Sequence, residues 1–399
     1  MQQSESQKNR LLIAFVIFCF VFIAAFAVMP PAIAEPVKAT VLRQAMPETS
    51  AISAVLMDEN GRVLYEKNPH KKLPPASVTK IMTLLVAVEA VEEGKISLND
   101  KIVTSENAWR QGGSQIWLEP GEIMTVKEIL TAVAVVSAND AAVAILEHIY
   151  GSEAKGVEAM NERAKNLGLA NTNFSNPSGL PEANHYMSAY DAALIAKEAL
   201  RHPLYMELCN IKEHWLRDGK NWLINTNKLL WWYAGADGLK TGWTKEAQYC
   251  FVGTAKRDGL RLISVVFGTP EPRSHLRESM KLLDWGYANF TAENVVRQGA
   301  VVERLRVSRG ISKDVKLVAD KDLNLTMPRG QKANIEKKIV APKVISSPIE
   351  AGKRYAELVV MKEGEEVARI GLVADQDIPK AGFFRIFRSM VTNMFTLAK

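Results

Sequence analysis

Ser77 and Lys80 stand three positions apart in "PPASVTKIMTLL", after two prolines and ahead of an apolar stretch. A serine hydroxyl is a poor nucleophile until a base takes its proton, and a lysine held neutral can be that base. Residues three apart on a helix share a face, so the two side chains can meet. Pro74 and Pro75 put Ser77 at the helix N-terminus, where free backbone N–H groups and the helix dipole favour an oxyanion. The same spacing recurs at Ser152 and Lys155, in a short glycine-bounded segment with no apolar helix behind it. Spacing alone does not separate a nucleophile from an ordinary exposed helix start.

Two other stretches offer partners. Ser137-Ala138-Asn139 interrupts an otherwise apolar run, and polar side chains in a buried stretch need hydrogen-bond partners. Ser97 with Asn99 and Ser105 with Asn107 repeat the pattern, but in polar, turn-like surroundings. The plain alternative for Ser137 is a helix-to-helix turn capped by serine. Lys240-Thr241-Gly242 occurs once, on a predicted strand edge after "GADGL". The lysine and threonine could bind a carboxylate, and the glycine would let backbone approach a substrate. Its plain alternative is an exposed strand end.

These residues need elements to hold them. Two apolar runs flank Asp58-Glu59-Asn60-Gly61, a hairpin signal. A helix is expected from Ser77 to about Glu93, stopped by Gly94. Thr125 and Glu128 have the spacing of a capping box, opening a core helix that breaks at Ser137 and resumes to Gly151. Residues 173–200 read as loop then helix, 235–268 as strands turning at Arg257-Asp258-Gly259, and 278–290 as a last helix. Helices inside a chain whose strands fall at its start and end imply an α/β (α+β) domain with an antiparallel sheet. Beyond about Phe290, short alternating strands imply a small all-β sandwich.

The remaining signals concern location. The chain has 399 residues, 47% hydrophobic and 24% charged, which supports packed domains rather than disorder. Lys8 and Arg10, an apolar run from Leu11 to Met29, and Ala32-Ile33-Ala34 fit a signal peptide over 1–34; the alternative is an uncleaved anchor. Phe383, Phe387, Met390, Met394 and Leu397 form an apolar stripe on a helix over 380–399. Lys380, Arg385, Arg388 and Lys399 make that stripe suited to a membrane surface; the alternative is a helix packed on the β domain. The net charge of +6 is too mild and scattered for nucleic acid, but suits anionic lipid or cell-wall polymer. Cys209 and Cys250 are too few for a disulfide framework, and Cys250 reads as a buried free thiol. No Cys/His cluster has zinc spacing, and no cofactor or metal is expected.

Ser-x-x-Lys, Ser-x-Asn and Lys-Thr-Gly, in this order, resemble the motif set of penicillin-binding proteins and class A β-lactamases. The chain most closely resembles low-molecular-mass penicillin-binding proteins that are D-alanyl-D-alanine carboxypeptidases. "VLMDENGRVLYEKN", "PPASVTKIMT", "SANDAA", "NPSGL" and "GADGLKTGWT" carry the resemblance, which extends over roughly 36 to 399. It implies a penicillin-binding/β-lactamase-like fold with a helical subdomain over 35–290, then the β domain over 291–379.

The resemblance also implies roles. Ser77 would attack the bond between two D-alanines of a peptidoglycan stem peptide and form an acyl-enzyme, with Lys80 as base. Burial and Lys240 should disfavour the charged form of Lys80. Ser137 would relay a proton to the leaving D-alanine, and Asn139 would hold Lys80 and the substrate amide. Lys240 and Thr241 would receive the terminal carboxylate beside Gly242, with the backbone N–H groups of Ser77 and Trp243 as oxyanion hole. β-Lactams would acylate Ser77, and the protein would sit on the outer face of the cytoplasmic membrane. Relatives often have histidine where this chain has Ser178 and Trp243, and an arginine where it has His275, flanked by Arg273 and Arg277. Rival functions are a β-lactamase, a transpeptidase or endopeptidase, and a catalytically idle wall-binding protein. Glu182 and Glu198 lack the Glu-x-x-x-Asn spacing of the β-lactamase loop.

Overall fold

The computed structural model describes residues 45–331 and 334–382; the leader at 1–34 and the stripe from Phe383 onward lie outside them. Strands β1 (Ser53–Asp58) and β2 (Val63–Lys67) form the expected hairpin. The Asp58 carboxylate builds its turn, accepting from the N–H groups of Asn60 and Arg62 at 2.9 Å each. A 3-10 turn (Ala76–Thr79) leads into α1 (Lys80–Glu92).

Two short strand pairs and most of the helices come next. Strand β3 (Lys101–Val103), α2 (Glu106–Trp109) and β4 (Ile123–Thr125) precede α3 (Val126–Val135), α4 (Asn139–Tyr150) and α5 (Glu153–Asn166). Helices α6 (Ala189–Ala199) and α7 (Pro203–Cys209) lead to the hairpin of β5 (Glu213–Leu216) and β6 (Asn221–Ile224), then α8 (Leu229–Trp232). Strands β7 (Ala236–Thr244), β8 (Gln248–Arg257) and β9 (Leu260–Thr269) and helix α9 (Ser274–Asn289) complete this part.

The main sheet runs β2-β1-β9-β8-β7 with every pair antiparallel. Its central strands are apolar on both faces because both faces are covered. Val55, Met57, Ile263 and Val265 point into the core with α1, α3, α4 and α6. Their neighbours Leu56, Leu262 and Val266 point to the opposite core, with Leu276, Leu282 and Leu283 of α9. Successive side chains thus serve different cores, as strand geometry requires. Helix α1 lies inside the larger core, with ten of its 13 residues buried. β7 is the edge strand, so Lys240-Thr241-Gly242 has one side without a strand neighbour.

Some elements differ from the sequence reading. Ser77 sits in the 3-10 turn, one turn before the α-helix proper. The segment at Ser152 is no short glycine-bounded stretch: Ser152 caps the 14-residue helix α5, its Oγ accepting from Lys155 N–H at 3.3 Å. This helix is polar and covers the core at only a few positions, so it lacks the apolar signature expected of a helix. α9 begins four residues earlier than Glu278, because the chain turns at Arg273 in a left-handed conformation with φ 64°.

Phe290 passes without a linker from α9 into β10 (Phe290–Val296). The β part continues with β11 (Val301–Ser308), β12 (Asp314–Ala319), β13 (Leu323–Pro328), β14 (Ile335–Val340), β15 (Val344–Ser346), β16 (Arg354–Lys362) and β17 (Glu365–Ala374). A six-stranded sheet ordered β14-β16-β17-β12-β11-β15 packs against the β10–β13 pair. Val295, Leu323 and Leu325 of the pair share one core with Leu317, Leu358 and Leu372 of the sheet. The result is an α/β domain with a C-terminal β sandwich. Lys380 and Ala381 still belong to the β part, bonding to Gly310 and Arg309.

Candidate active site

Pro75 and Ala76 shape the turn that presents Ser77. Ala76 takes φ 48°, uncommon for a residue with a side chain, and Ser77 emerges half-buried. Helical side chains lean towards the N-terminus, so Lys80, first in α1, reaches back over the turn. Its Nζ lies 3.0 Å from Ser77 Oγ, 2.6 Å from Asn139 Oδ1 and 2.6 Å from the Ser178 carbonyl. Lys80 is fully buried. Burial, then the charge of Lys240, push its pKa well below that of a free lysine, against a smaller pull from Asp140.

That geometry limits what a neutral Lys80 can do. A neutral amine has two hydrogens and one lone pair. The Ser178 carbonyl and the Asn139 amide oxygen can only accept, so they take the two hydrogens. The lone pair is left for the third neighbour, the Ser77 hydroxyl, whose proton it can accept.

The second motif enters where α3 gives way to α4. Ser137 adopts φ 64°, and its Oγ is buried with no hydrogen-bond partner among the described residues. Backbone strain and an unsatisfied buried hydroxyl are features that functional sites collect. Asn139 is fixed on three sides: beyond Lys80, its Nδ2 donates to the Gly112 carbonyl at 2.6 Å and its N–H to the Ser114 carbonyl at 2.7 Å.

β7 brings the third motif against the first. A Cβ at Gly242 would lie 3.0 Å from each of Pro75 O, Ser77 N and Val78 N, so glycine lets the strand approach this closely without displacement. Lys240 is buried, and its Nζ donates to the Thr241 carbonyl at 3.0 Å. Burial lowers Lys240 to about 7. Thr241 Oγ1 donates to Thr226 Oγ1 at 2.9 Å, and Trp243 stands exposed at the mouth. Three distant segments therefore converge on Ser77.

Two contributors were not foreseen. Ser178 acts through its carbonyl, and Asn176 Oδ1 shapes that loop by accepting from the N–H groups of Ser178 and Gly179. His185 braces the loop against the first motif. Its Nδ1 accepts from Ser175 N–H at 3.2 Å, so the proton sits on Nε2, 2.8 Å from Thr79 Oγ1. Burial lowers its pKa to about 4, which keeps it neutral. In the sequence this loop showed only as "NPSGL", one of the segments that carry the resemblance.

Other candidates have structural uses. Ser105 caps α2, and Asn107 bonds to Glu147 and Glu153. His275 is buried and stacked on Tyr249 at 5.4 Å, and burial lowers its pKa to about 4, so it offers no cation to a carboxylate. Arg277 pairs with Glu271. Glu182 accepts from Asn176, and Glu198 is held by Arg163 and Arg201. Glu89, Glu198 and His202 cluster as metal ligands can, but the Arg163 guanidinium already donates to both carboxylates.

Fold and site together fit a serine-type hydrolase. Residues 40–271 match the family model described as D-alanyl-D-alanine carboxypeptidase, and residues 290–380 match the penicillin-binding protein 5 C-terminal domain. The D-alanyl-D-alanine carboxypeptidase DacF of Bacillus subtilis is 43% identical over 343 residues, covering 85% of this chain and 88% of that protein. DacA of Escherichia coli is 32% identical over 360 residues, covering 88% and 89%. Penicillin binding protein 5 from Haemophilus influenzae superposes with a TM-score of 0.66 at 35% identity, covering 84% of this chain and all of that one. Penicillin-binding protein D2 from Listeria monocytogenes, in its ampicillin-bound form, gives 0.56 at 32%, covering 61% and 100%. The chain belongs to the D-alanyl-D-alanine carboxypeptidase family and is a serine-type peptidase.

Proposed function

We propose that the enzyme removes the terminal D-alanine from peptidoglycan stem pentapeptides through an acyl-enzyme on Ser77. The observation that carries this reading is the Lys80 amine, whose two hydrogens are committed and whose lone pair faces Ser77. The terminal carboxylate of the substrate binds Lys240 and Thr241. Ser77 Oγ attacks the carbonyl carbon of the penultimate D-alanine as Lys80 takes the proton. The oxyanion lies against the N–H groups of Ser77 and Trp243. The leaving amine takes a proton by way of Ser137, whose unpartnered Oγ suits a relay, and water then releases the shortened peptide. Penicillin, with its strained amide and carboxylate, acylates the same serine and leaves slowly.

The test is D-alanine release from a peptide ending in D-Ala-D-Ala. Ser77→Ala and Lys80→Ala should each lower the rate by about 10⁴-fold or more, and labelled penicillin should no longer attach to Ser77→Ala. Release surviving both changes overturns the mechanism.

We further propose that the protein is exported and held on the outer face of the cytoplasmic membrane. The leader pattern over 1–34 and the basic-aromatic stripe over 380–399 support this. No helix among the described residues is long and apolar enough to cross a membrane. Deleting 381–399 should move the signal-cleaved protein to the soluble fraction; retention on membranes rejects the anchor.

A further inference from the structure

Tryptophan is usually well buried, yet seven of the eight here are at least 38% exposed, Trp285 being the exception at 8%. Two of the exposed ones flank a built groove. Trp109 and Trp117 stand with Arg110, Gln111, Gln115 and Glu119 around a volume of about 420 Å³. Trp117 is 73% exposed and held at φ 59°, a backbone conformation unfavourable for a bulky residue. It is not loose. The N–H groups of Ile116 and Leu118 on either side donate to the buried Asp140 carboxylate at 3.1 Å. Arg217 donates to the carbonyls of Ile116 and Trp117 at 2.9 and 3.2 Å. An indole fixed in solvent on a strained, pinned backbone is a preorganised contact surface.

The loop that forms the groove is tied to the reaction centre by hydrogen bonds. Gly112 and Ser114, which sit between its lining residues, accept hydrogen bonds from Asn139. Three hydrogen bonds link Ser77 to that loop: Ser77 to Lys80 at 3.0 Å, Lys80 to Asn139 at 2.6 Å and Asn139 to the Gly112 carbonyl at 2.6 Å, which places the loop near the nucleophile. A stem of five residues spans at most about 17 Å, so the sugar bearing it must lie within that reach of Ser77. A pyranose presents a C–H face that packs on indole and an edge of hydroxyl and acetamido groups. Gln111 and Gln115 direct their amide nitrogens into their own loop, to Asn107 O and Gln111 O. No described residue donates to their side-chain oxygens, which suit hydroxyl and N–H donors. Arg110 and Glu119 balance in charge, unlike the basic rim that anionic lipid selects.

We propose that this groove binds an N-acetylated sugar of the glycan strand, so that stems still attached to glycan are bound more tightly than free peptides. The proposal rests on the carboxypeptidase reading above and adds its polymer contact.

The test compares two substrates, an acylated tripeptide ending in D-Ala-D-Ala and a disaccharide-linked pentapeptide, on the full chain. The double variant Trp109→Ala/Trp117→Ala should raise KM for the sugar-linked substrate about tenfold, leaving the tripeptide within twofold. Trp117→Phe, which keeps a ring, should recover most of the loss. A peptide-free N-acetylglucosamine tetramer should quench tryptophan fluorescence in the wild type and not in the double variant. Equal losses on both substrates would reduce the groove to a support for Asn139 and overturn the proposal. So would unchanged KM values, or double-variant loss of binding to phosphatidylglycerol vesicles with sugar-linked kinetics intact. If the wild type spares the tripeptide, the carboxypeptidase reading fails instead, and the tetramer titration still decides the groove.

Discussion

Two buried amines within one site cannot both stay charged cheaply, and on the proposed mechanism their division sets the pH dependence. Lys80, whose pKa burial and then Lys240 lower, must be neutral to accept a proton; Lys240 must be charged to bind a carboxylate. kcat/KM should therefore rise as Lys80 deprotonates and fall as Lys240 loses its proton at about 7. Lys240→Arg keeps its charge at every working pH, so the alkaline limb should vanish from the profile even where overall kcat/KM falls. An alkaline limb that persists would mean another group. His185 and His275 give a separate signature. Burial lowers both from 6.5 to about 4. Stability is thus full above 6.5 and is lost as pH falls towards 4, by up to about 3 kcal/mol each. His275→Phe should shrink the drop in Tm between pH 7 and pH 4. The serines and lysines of the site were legible as residue types in order. The Ser178 carbonyl and His185 were not, because a backbone acceptor and a neutral brace leave no spacing signature.

Among the elements, local rules read well where short-range chemistry decides. Thr125 and Glu128 form the capping box the spacing indicated, Thr125 Oγ1 accepting from Glu128 N–H at 3.1 Å. Thr125→Ala should cost about 1 kcal/mol, seen as a lower Tm with unchanged turnover. Gly242→Ala should do the reverse. Its Cβ meets backbone at 3.0 Å on three atoms, so β7 must withdraw from Ser77 by a few tenths of an ångström. Acylation by penicillin should slow by about tenfold or more with little change in Tm; an unaltered rate would contradict the close approach. The 105–122 segment was opaque for the opposite reason. Asp140 and Arg217, distant in sequence, shape it, and no periodicity records that.

At the scale of the whole molecule, the two parts are joined by more than the unbroken run from α9 into β10. The first hairpin reaches across: Asn60 Nδ2 donates to the Asn324 carbonyl at 2.9 Å and Arg62 Nη1 to the Thr326 carbonyl at 3.1 Å. Asn60→Ala/Arg62→Ala should cost about 1–3 kcal/mol, read as a lower denaturant midpoint, while peptide turnover stays constant. The β sandwich was visible in the sequence as alternation; its attachment to the hairpin was not, because residues more than 260 positions apart make it. A last consequence concerns the two sulfurs. Cys209 and Cys250 are both unbridged and enclosed, and burial raises each thiol to about 12. Thiolate is the reactive form, so burial makes both sulfurs of the folded chain slow to alkylate or oxidise at neutral pH. The folded chain therefore holds both thiols enclosed without a disulfide.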